Sequence, residues 1–361
     1  MGLENIESGT RQYVVAEEAM ETGQSACWHL GPQHVLYGKL RPYLNKVFLP
    51  EKEGRCSLEI LPLLPREGFS RDLIAAVLQS PVVVQFTSQH STGGRMPRAD
   101  IRKLLAFQVP MPESVTECNK VGTELSRRLA TCLNMRRAAE RQFEASSALP
   151  VAELRSVFSL QELPAGWIRR PISDLVRADG QQIDSREADF STLPFLGLEN
   201  IESGTGRFVI PEDQAEPGRS ACFRFGPQHV LYGKLRPYLN KVLLPQSNGR
   251  CALEILPLLP TEGFSREFVA AVLRSPLVVT YATHHSTGGR MPRADIRKLM
   301  RFEVPIPETR DACNQLGAQL TLRLNNCSVV HSAAARQLET VSAMPAATLR
   351  KFFNFENGVH A

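Results

Sequence analysis

The sequence predicts a mixed α+β protein: two pseudo-symmetric domains, each followed by a long helix, with the two helices packed as an antiparallel coiled-coil spacer. Three observations lead there. The 361 residues contain one unit twice. Inside each unit, a Pro- and Gly-rich stretch of short strand-like and helical runs gives way once to purely helical texture. That helical texture carries a single apolar stripe.

The duplication has one fixed offset. Gly2–Thr10 (GLENIESGT) returns as Gly197–Thr205, which is 195 positions later. At the same offset Gly31–Val47 (GPQHVLYGKLRPYLNKV) returns unchanged as Gly226–Val242, Leu58–Pro65 (LEILPLLP) matches Leu253–Pro260, and His90–Leu104 (HSTGGRMPRADIRKL) matches His285–Leu299. The register holds to Leu154-Arg155 against Leu349-Arg350. A period this long is a domain rather than a solenoid repeat. Ser159–Leu196 has no counterpart ahead of the first copy, so the first domain is expected to lack a strand and a helix and to be less stable. The expected boundaries are 1–112 for the first domain, 113–158 for its helix, 159–307 for a linker and the second domain, and 308–355 for the second helix.

In the first unit, Gln12–Val15, His34–Tyr37, Lys46–Leu49 and Leu58–Leu61 read as short strands. Ser70–Leu78 and Pro81–Phe86 read as helices, and Arg98–Leu104 as a third helical run. After Val109-Pro110-Met111-Pro112, apolar residues Val121, Leu125, Leu129, Cys132 and Met135 step by 4, 4, 3 and 3, and Leu316, Leu320, Leu324, Cys327 and Val330 do the same. Each pattern is one face of a helix running about thirty residues before Pro150 and Pro345.

Hydrophobic residues make up 43% and charged residues 22%, enough apolar material for more than one core. There is no apolar run of about 18 residues to cross a membrane, and Met1-Gly2-Leu3-Glu4-Asn5 lacks the features of a secretory leader. The eight cysteines form no C-x-x-C pair, which points to thiols in a reducing cytoplasm instead of a zinc site or disulfides. Catalytic signatures are missing. Gly31 and Gly38-Lys39 enclose six residues and are followed by Leu40, so they do not make a phosphate-binding P-loop. No G-x-G-x-x-G and no Asn-Pro-Pro-Tyr appears. His90-Ser91 and His285-Ser286 are adjacent pairs without a nucleophile elbow. The chain is expected to be non-catalytic and to hold no metal or cofactor.

Two segments carry the chemistry. Lys39, Arg41, Tyr43, Asn45 and Lys46 lie in a stretch punctuated by Gly38 and Pro42, repeated as Lys234, Arg236, Tyr238, Asn240 and Lys241. Such a loop can set cations on phosphates while Arg or Asn reaches a base edge. Ser91, Thr92, Arg95 and Arg98 flank a Gly-Gly turn, repeated as Ser286, Thr287, Arg290 and Arg293; hydroxyls and free N–H groups there suit a phosphate. Each segment alone also reads as solvated surface or as a helix N-terminal turn around Asp100. Charge separates the two readings. Gly31–Val47 and His90–Leu104, with their copies, carry +3 each, +12 together, against +5 for the chain, so all other residues sum to −7. Cations focused in the verbatim repeats are what a polyanion requires.

The pattern resembles the specificity subunit of Type I restriction-modification systems, a family with two target-recognition domains, each followed by a spacer helix. The duplication carries the likeness, together with Leu163-Pro164-Ala165-Gly166-Trp167 followed by Ile172–Leu175, the GKLRPYLNK stretch, and the exits Ser91–Pro112 and Ser286–Pro307. The resemblance implies that each domain reads one half of a split site in double-stranded DNA and that the paired helices set the gap. It also implies that methyltransferase subunits dock on this frame, joined by restriction-translocase subunits. S-adenosylmethionine, Mg²⁺ and ATP then belong to those partners. Because the presumed reading segments are identical here, the expected target is an interrupted palindrome. A DNA-binding regulator or antirestriction decoy, and a protein-binding helical scaffold, are the competing expectations.

Overall fold

The computed structural model describes residues 1–15, 26–159, 162–184, 187, 190, 192–210 and 221–353. Its contacts divide the chain into two compact units, Met1–Gln142 with Ala335–Ala361, and Phe143–Ala334. Each unit therefore holds one duplicated domain plus a length of both long helices.

In the first unit, Val35–Gly38 is the middle strand of three, antiparallel to Val47–Phe48 and to Ile60–Leu63. Val35, Leu36 and Tyr37 are all buried, so this strand reads as a continuous apolar run rather than an alternation. A second antiparallel pair joins Cys27–Leu30 to Gly54–Ser57. Two helices, Arg71–Gln79 and Pro81–Gln89, close one side. Ser70 caps the first, its hydroxyl accepting from the Leu73 amide at 3.3 Å, and Pro81 opens the second at a position that needs no N–H.

Three sequence expectations shift. Of Gln12–Val15 only Tyr13 pairs, bridging Ile6. The strand expected at Leu58–Leu61 is Ile60–Leu63, because Leu58 and Glu59 form the turn from the preceding strand, the Glu59 amide donating to Ser57 Oγ at 3.2 Å. Arg98–Leu104 divides into a two-residue strand, Arg98–Ala99, and a helix, Ile101–Ala106, whose N-terminus Asp100 caps.

The second unit repeats this scheme and adds strands from Trp167–Leu196. Val176–Ala178 extends the main sheet to four strands by pairing with Ile255–Pro260. Gln182–Ile183 and Phe195–Leu196 flank the other pair. Trp167–Pro171 pairs along Glu303–Pro307. Among the described residues the first unit has none of these strands except the Met1 carbonyl, which accepts from Ser57 N at 3.0 Å. Burial follows: Trp28 is 45% exposed where its equivalent Phe223 is 9% exposed.

The long helices are Val115–Phe158 and Arg310–Phe352, both continuous through their prolines. Neither Pro150 nor Pro345 breaks its helix. An interior proline costs about 3 kcal/mol, whereas burying a large apolar side chain returns about 1.5–3 kcal/mol. Beyond Pro150 both Leu154 and Phe158 enter the second unit's core; beyond Pro345 Leu349 and Phe353 are buried in the first. The buried seam steps by seven through Cys118, Leu125, Cys132, Ala139 and Ser146, then by eight to Leu154; Cys313, Leu320, Cys327, Ala334, Val341 and Leu349 repeat it. The extra residue falls on the proline turn, as an insertion that resets heptad phase would. Met135 and Val330, expected on the stripe, are 43% and 50% exposed.

The pairing of the helices is visible inside each unit. In the first, Leu125 clusters with Leu349 and Phe353, and the Arg128 guanidinium lies 5.1 Å from the Phe352 ring centroid. In the second, the His331 ring packs tilted against Phe143 at 4.6 Å and bonds Ser146 Oγ at 2.9 Å, while Glu153 meets Arg323 at 3.5 Å. Numbers rise on one helix as they fall on the other, so the packing is antiparallel.

Candidate nucleic-acid interface

The two basic segments of each copy are brought together by backbone hydrogen bonds. In the first unit the amide of Arg41 donates to Pro97 O at 2.7 Å and that of Ala99 to Lys39 O at 2.9 Å, with Leu40 and Arg98 bridged. The second unit repeats this through Arg236 to Pro292 O at 2.7 Å and Ala294 to Lys234 O at 2.9 Å. Ser91–Thr92 and Arg98–Ala99 are the arms of a β-hairpin whose tip is Gly93-Gly94-Arg95-Met96. Gly93 at φ +96° makes the tight entry to that tip. The Ser-Thr-Gly-Gly turn is thus a hairpin tip, and the helix N-terminus lies beyond it at Asp100, which accepts from the Arg102 and Lys103 amides at 3.0 and 3.2 Å.

The basic loop is wound tightly. Pro42–Leu44 is a single 3-10 turn, bounded by Arg41 at φ +51° and Asn45 at φ +49°, and the second copy has the same values within a degree. Left-handed conformations at an arginine are uncommon and persist where surroundings hold them. Here the bond to Pro97 holds Arg41 on one side. On the other, Asn45 Nδ2 donates to the Gln79 carbonyl at 3.1 Å, and Asn240 Nδ2 donates to the Arg274 carbonyl at 3.0 Å.

The eighteen side chains singled out in sequence divide by what they do here. Arg41, Tyr43, Thr92 and Arg95, with Arg236, Tyr238, Thr287 and Arg290, are exposed. Tyr43 and Tyr238 stand 55% and 52% clear of the protein. Lys39 is half-buried beneath the loop, and Lys234 lies 5.7 Å from the Phe223 ring centroid. Arg98 and Arg293 are exposed but paired, in two-pronged contacts with Glu59 and Glu254 at 2.7 and 2.8 Å. Those guanidinium groups hold both glutamates below the usual carboxylate range. Asn45, Lys46 and their equivalents are used within the fold: Lys46 Nζ donates to Leu3 O at 2.7 Å and Lys241 Nζ to Leu198 O at 2.6 Å, and burial lowers both lysines. Ser91 and Ser286 donate to the carbonyls of Ser88 and Thr283 at the hairpin base.

His90 and His285 also serve the scaffold. Each donates through Nδ1 to a carbonyl one helical turn back, Phe86 O at 2.9 Å and Tyr281 O at 3.0 Å, and packs on that residue's ring. Two groups escaped the sequence reading. Met96 and Met291 project from the hairpin tips, 54% and 52% exposed. Glu59 and Glu254 set the availability of Arg98 and Arg293; their only signal was an acid inside the otherwise apolar LEILPLLP repeat. Among the described residues no cluster of His, Cys, Asp or Glu is placed to hold a metal, and no helix is long and apolar enough to cross a membrane.

Among the described residues, each surface can therefore offer two guanidinium groups without an ion partner, a third paired with a glutamate, a phenol and hydroxyls on a rigid backbone. That combination suits a phosphate backbone with base edges beside it.

No family model matches the chain. The chain is 25% identical over 120 residues to the Type I restriction enzyme EcoDI specificity subunit of Escherichia coli, a match covering 33% of this chain and about a quarter (27%) of that relative's length. Among solved structures it superposes on a chain from a study of complex assembly and conformational transition in the type I restriction-modification system, with a TM-score of 0.73 and 16% identity over 98% of this chain and 90% of that one. It also superposes on the HsdS subunit from Thermoanaerobacter tengcongensis, with a TM-score of 0.59 and 15% identity over 98% and 89% of the two chains.

Proposed function

We propose that this chain, which has the fold of the Type I restriction-modification specificity subunits, reads a bipartite site in double-stranded DNA. In this reading it carries methyltransferase subunits to that site, performs no chemistry of its own, and works in the cytoplasm beside the restriction-translocase subunits of the same system. The observation that carries the reading is the duplicated surface. In both copies the loop at 39–46 or 234–241 and the hairpin at 91–99 or 286–294 are joined by the same backbone bonds, and together they gather positive charge while the rest of the chain is net negative.

The roles follow from exposure. Arg41 and Arg95, with Arg236 and Arg290, bind phosphates or base edges. Tyr43 and Tyr238 pack against sugar or hydrogen-bond to the backbone. Arg98 and Arg293 change partner from glutamate to phosphate when DNA arrives. Lys46, Asn45 and their counterparts shape the loop from behind. Identical surfaces read identical half-sites, and an inverted repeat is the site that a two-fold arrangement of such readers would require.

The test is duplex binding by the intact chain as a function of salt. A DNA reader loses affinity steeply as salt rises, by about 0.9 in log–log slope per phosphate neutralised. Arg41→Ala with Arg236→Ala should flatten that slope by nearly two units on this scale. A slope near zero points instead to a protein-binding scaffold. Retained binding without co-purification of a co-expressed methyltransferase points to a stand-alone regulator.

A further inference from the structure

Behind each basic loop, at the seam between domain and long helix, stands one arginine, and the two copies supply it from different positions. In the first unit it is Arg11. Its Nε donates to Gln79 Oε1 and its Nη1 to Ser126 Oγ at 3.0 Å, while the Gln79 carbonyl receives the Asn45 amide that closes the loop. At the offset of 195, Arg11 corresponds to Gly206 and Gln79 to Arg274. In the second unit Arg274 donates through Nε and Nη2 to the Val242 carbonyl, at 3.1 and 2.7 Å, and its own carbonyl receives the Asn240 amide. Val242 directly follows the basic loop.

The two solutions exclude each other within one unit. A Cβ on Gly206 would run into both the Val242 carbonyl oxygen and Arg274 Nη2. Both positions share the same left-handed backbone, Arg11 at φ +61° and Gly206 at φ +65°, which suits glycine and strains arginine. The first unit also leaves Arg11 Nη2 and Gln79 Nε2 buried without partners, while neither orphan has a counterpart on Arg274. The charge on the neighbouring acid is rewired too: Glu7 meets Arg136 of the helix at 3.1 Å, whereas its equivalent Glu202 meets Arg207 of its own loop at 2.7 Å.

We propose that Arg11 and Arg274 are equivalent positioning residues, each setting the basic loop of its own domain for binding, and that 11/79 and 206/274 are coupled pairs in which one guanidinium is required and two are not tolerated. The seam has diverged around a fixed requirement while the loop in front of it stayed identical. The link to binding rests on the DNA-reading function proposed above; the coupling itself does not.

A four-member cycle on the intact chain tests this: wild type, Arg11→Gly, Gln79→Arg, and Arg11→Gly with Gln79→Arg, which moves the second domain's solution into the first. The readout is amide exchange of residues 38–47, with residues 233–242 of the same molecule as the internal standard. Arg11→Gly alone should speed exchange in 38–47 by about tenfold. Gln79→Arg alone should also loosen it, since two guanidinium groups then share one enclosed space. The double variant should restore protection to the wild-type level or above. Additive loosening in the double variant overturns the coupling, as does an Arg11→Gly loop that keeps full protection. Duplex affinity measured on the same four proteins should follow the exchange data. If exchange follows the cycle while no member binds DNA, the coupling stands and the DNA-reading function fails.

Discussion

At the residue scale, availability of positive charge is what the surface controls. Arg98 and Arg293 point at solvent yet are held by Glu59 and Glu254, so any anion approaching these guanidinium groups would compete with a carboxylate. Glu59→Gln with Glu254→Gln should therefore raise duplex affinity several-fold at low salt and steepen the salt slope, both measurable by fluorescence anisotropy. The same pairs bear on acid stability. Each glutamate is held below its ordinary value by the arginine hydrogen bond. Their contribution is thus present above the unfolded carboxylate range and lost as pH falls through the folded value. All four side chains are well solvated, so screening keeps that contribution small, and an acid melt of the double variant should nearly overlay wild type. The positions in this network were legible as cations in repeated segments. Their division into free, paired and structural was not, because Asn45 and Lys46 find their partners at Gln79 and Leu3, far away in sequence. Thiols offer a further check at this scale. Cys27 is exposed, whereas burial pushes Cys251 up to about 12 and Cys313 up to about 11. Only the thiolate alkylates, so peptide mapping after brief iodoacetamide treatment should find Cys27 modified well before Cys251 or Cys313.

At the scale of elements, the long helices are held by two devices, a heptad seam and close backbone approach. Gly122 and Gly317 sit where the domain's own helix comes nearest. A Cβ there would lie 2.8 Å from Leu73 N and 2.6 Å from Phe268 N, both backbone atoms that cannot swing aside. Gly317→Ala should cost about 1–3 kcal/mol by overpacking, read as a lower melting temperature. Leu154→Ala, which empties a fully packed position beyond the proline, should cost about 2–5 kcal/mol. The sequence announced both helices through their apolar spacing but did not show what carries them past their prolines, which is Phe158 and Phe353 reaching buried clusters. It also misplaced Met135 and Val330: three-residue spacing put them on the stripe, while the true seam advances by sevens. The middle strand of the first sheet was legible because apolar residues run there without interruption, at Val35–Tyr37. The hairpin at Ser91–Ala99 was missed because two paired residues on each arm leave no periodicity to read.

At the scale of the molecule, duplication supplies both the symmetry and its exception. The sequence comparison already separated the copies by the segment Ser159–Leu196, and the structure shows what that segment does: it completes two sheets and pairs along Glu303–Pro307 in the second unit. The equivalent edges of the first unit lack those partners among the described residues, and Trp28 and Leu64 stand exposed there. Edge strands with unpaired backbone open more readily. Hydrogen exchange on the intact chain should therefore find Cys27–Leu30 and Ile60–Leu63 less protected than Cys222–Phe225 and Ile255–Pro260; equal protection would refute the stability difference. On the proposed function, two identical basic surfaces read one site twice. Co-expressing the chain with a Type I methyltransferase subunit and mapping modified adenines across the host genome puts this to the test. Methylation is expected at an interrupted palindrome whose halves are inverted copies; methylation at two unrelated half-sites would refute it.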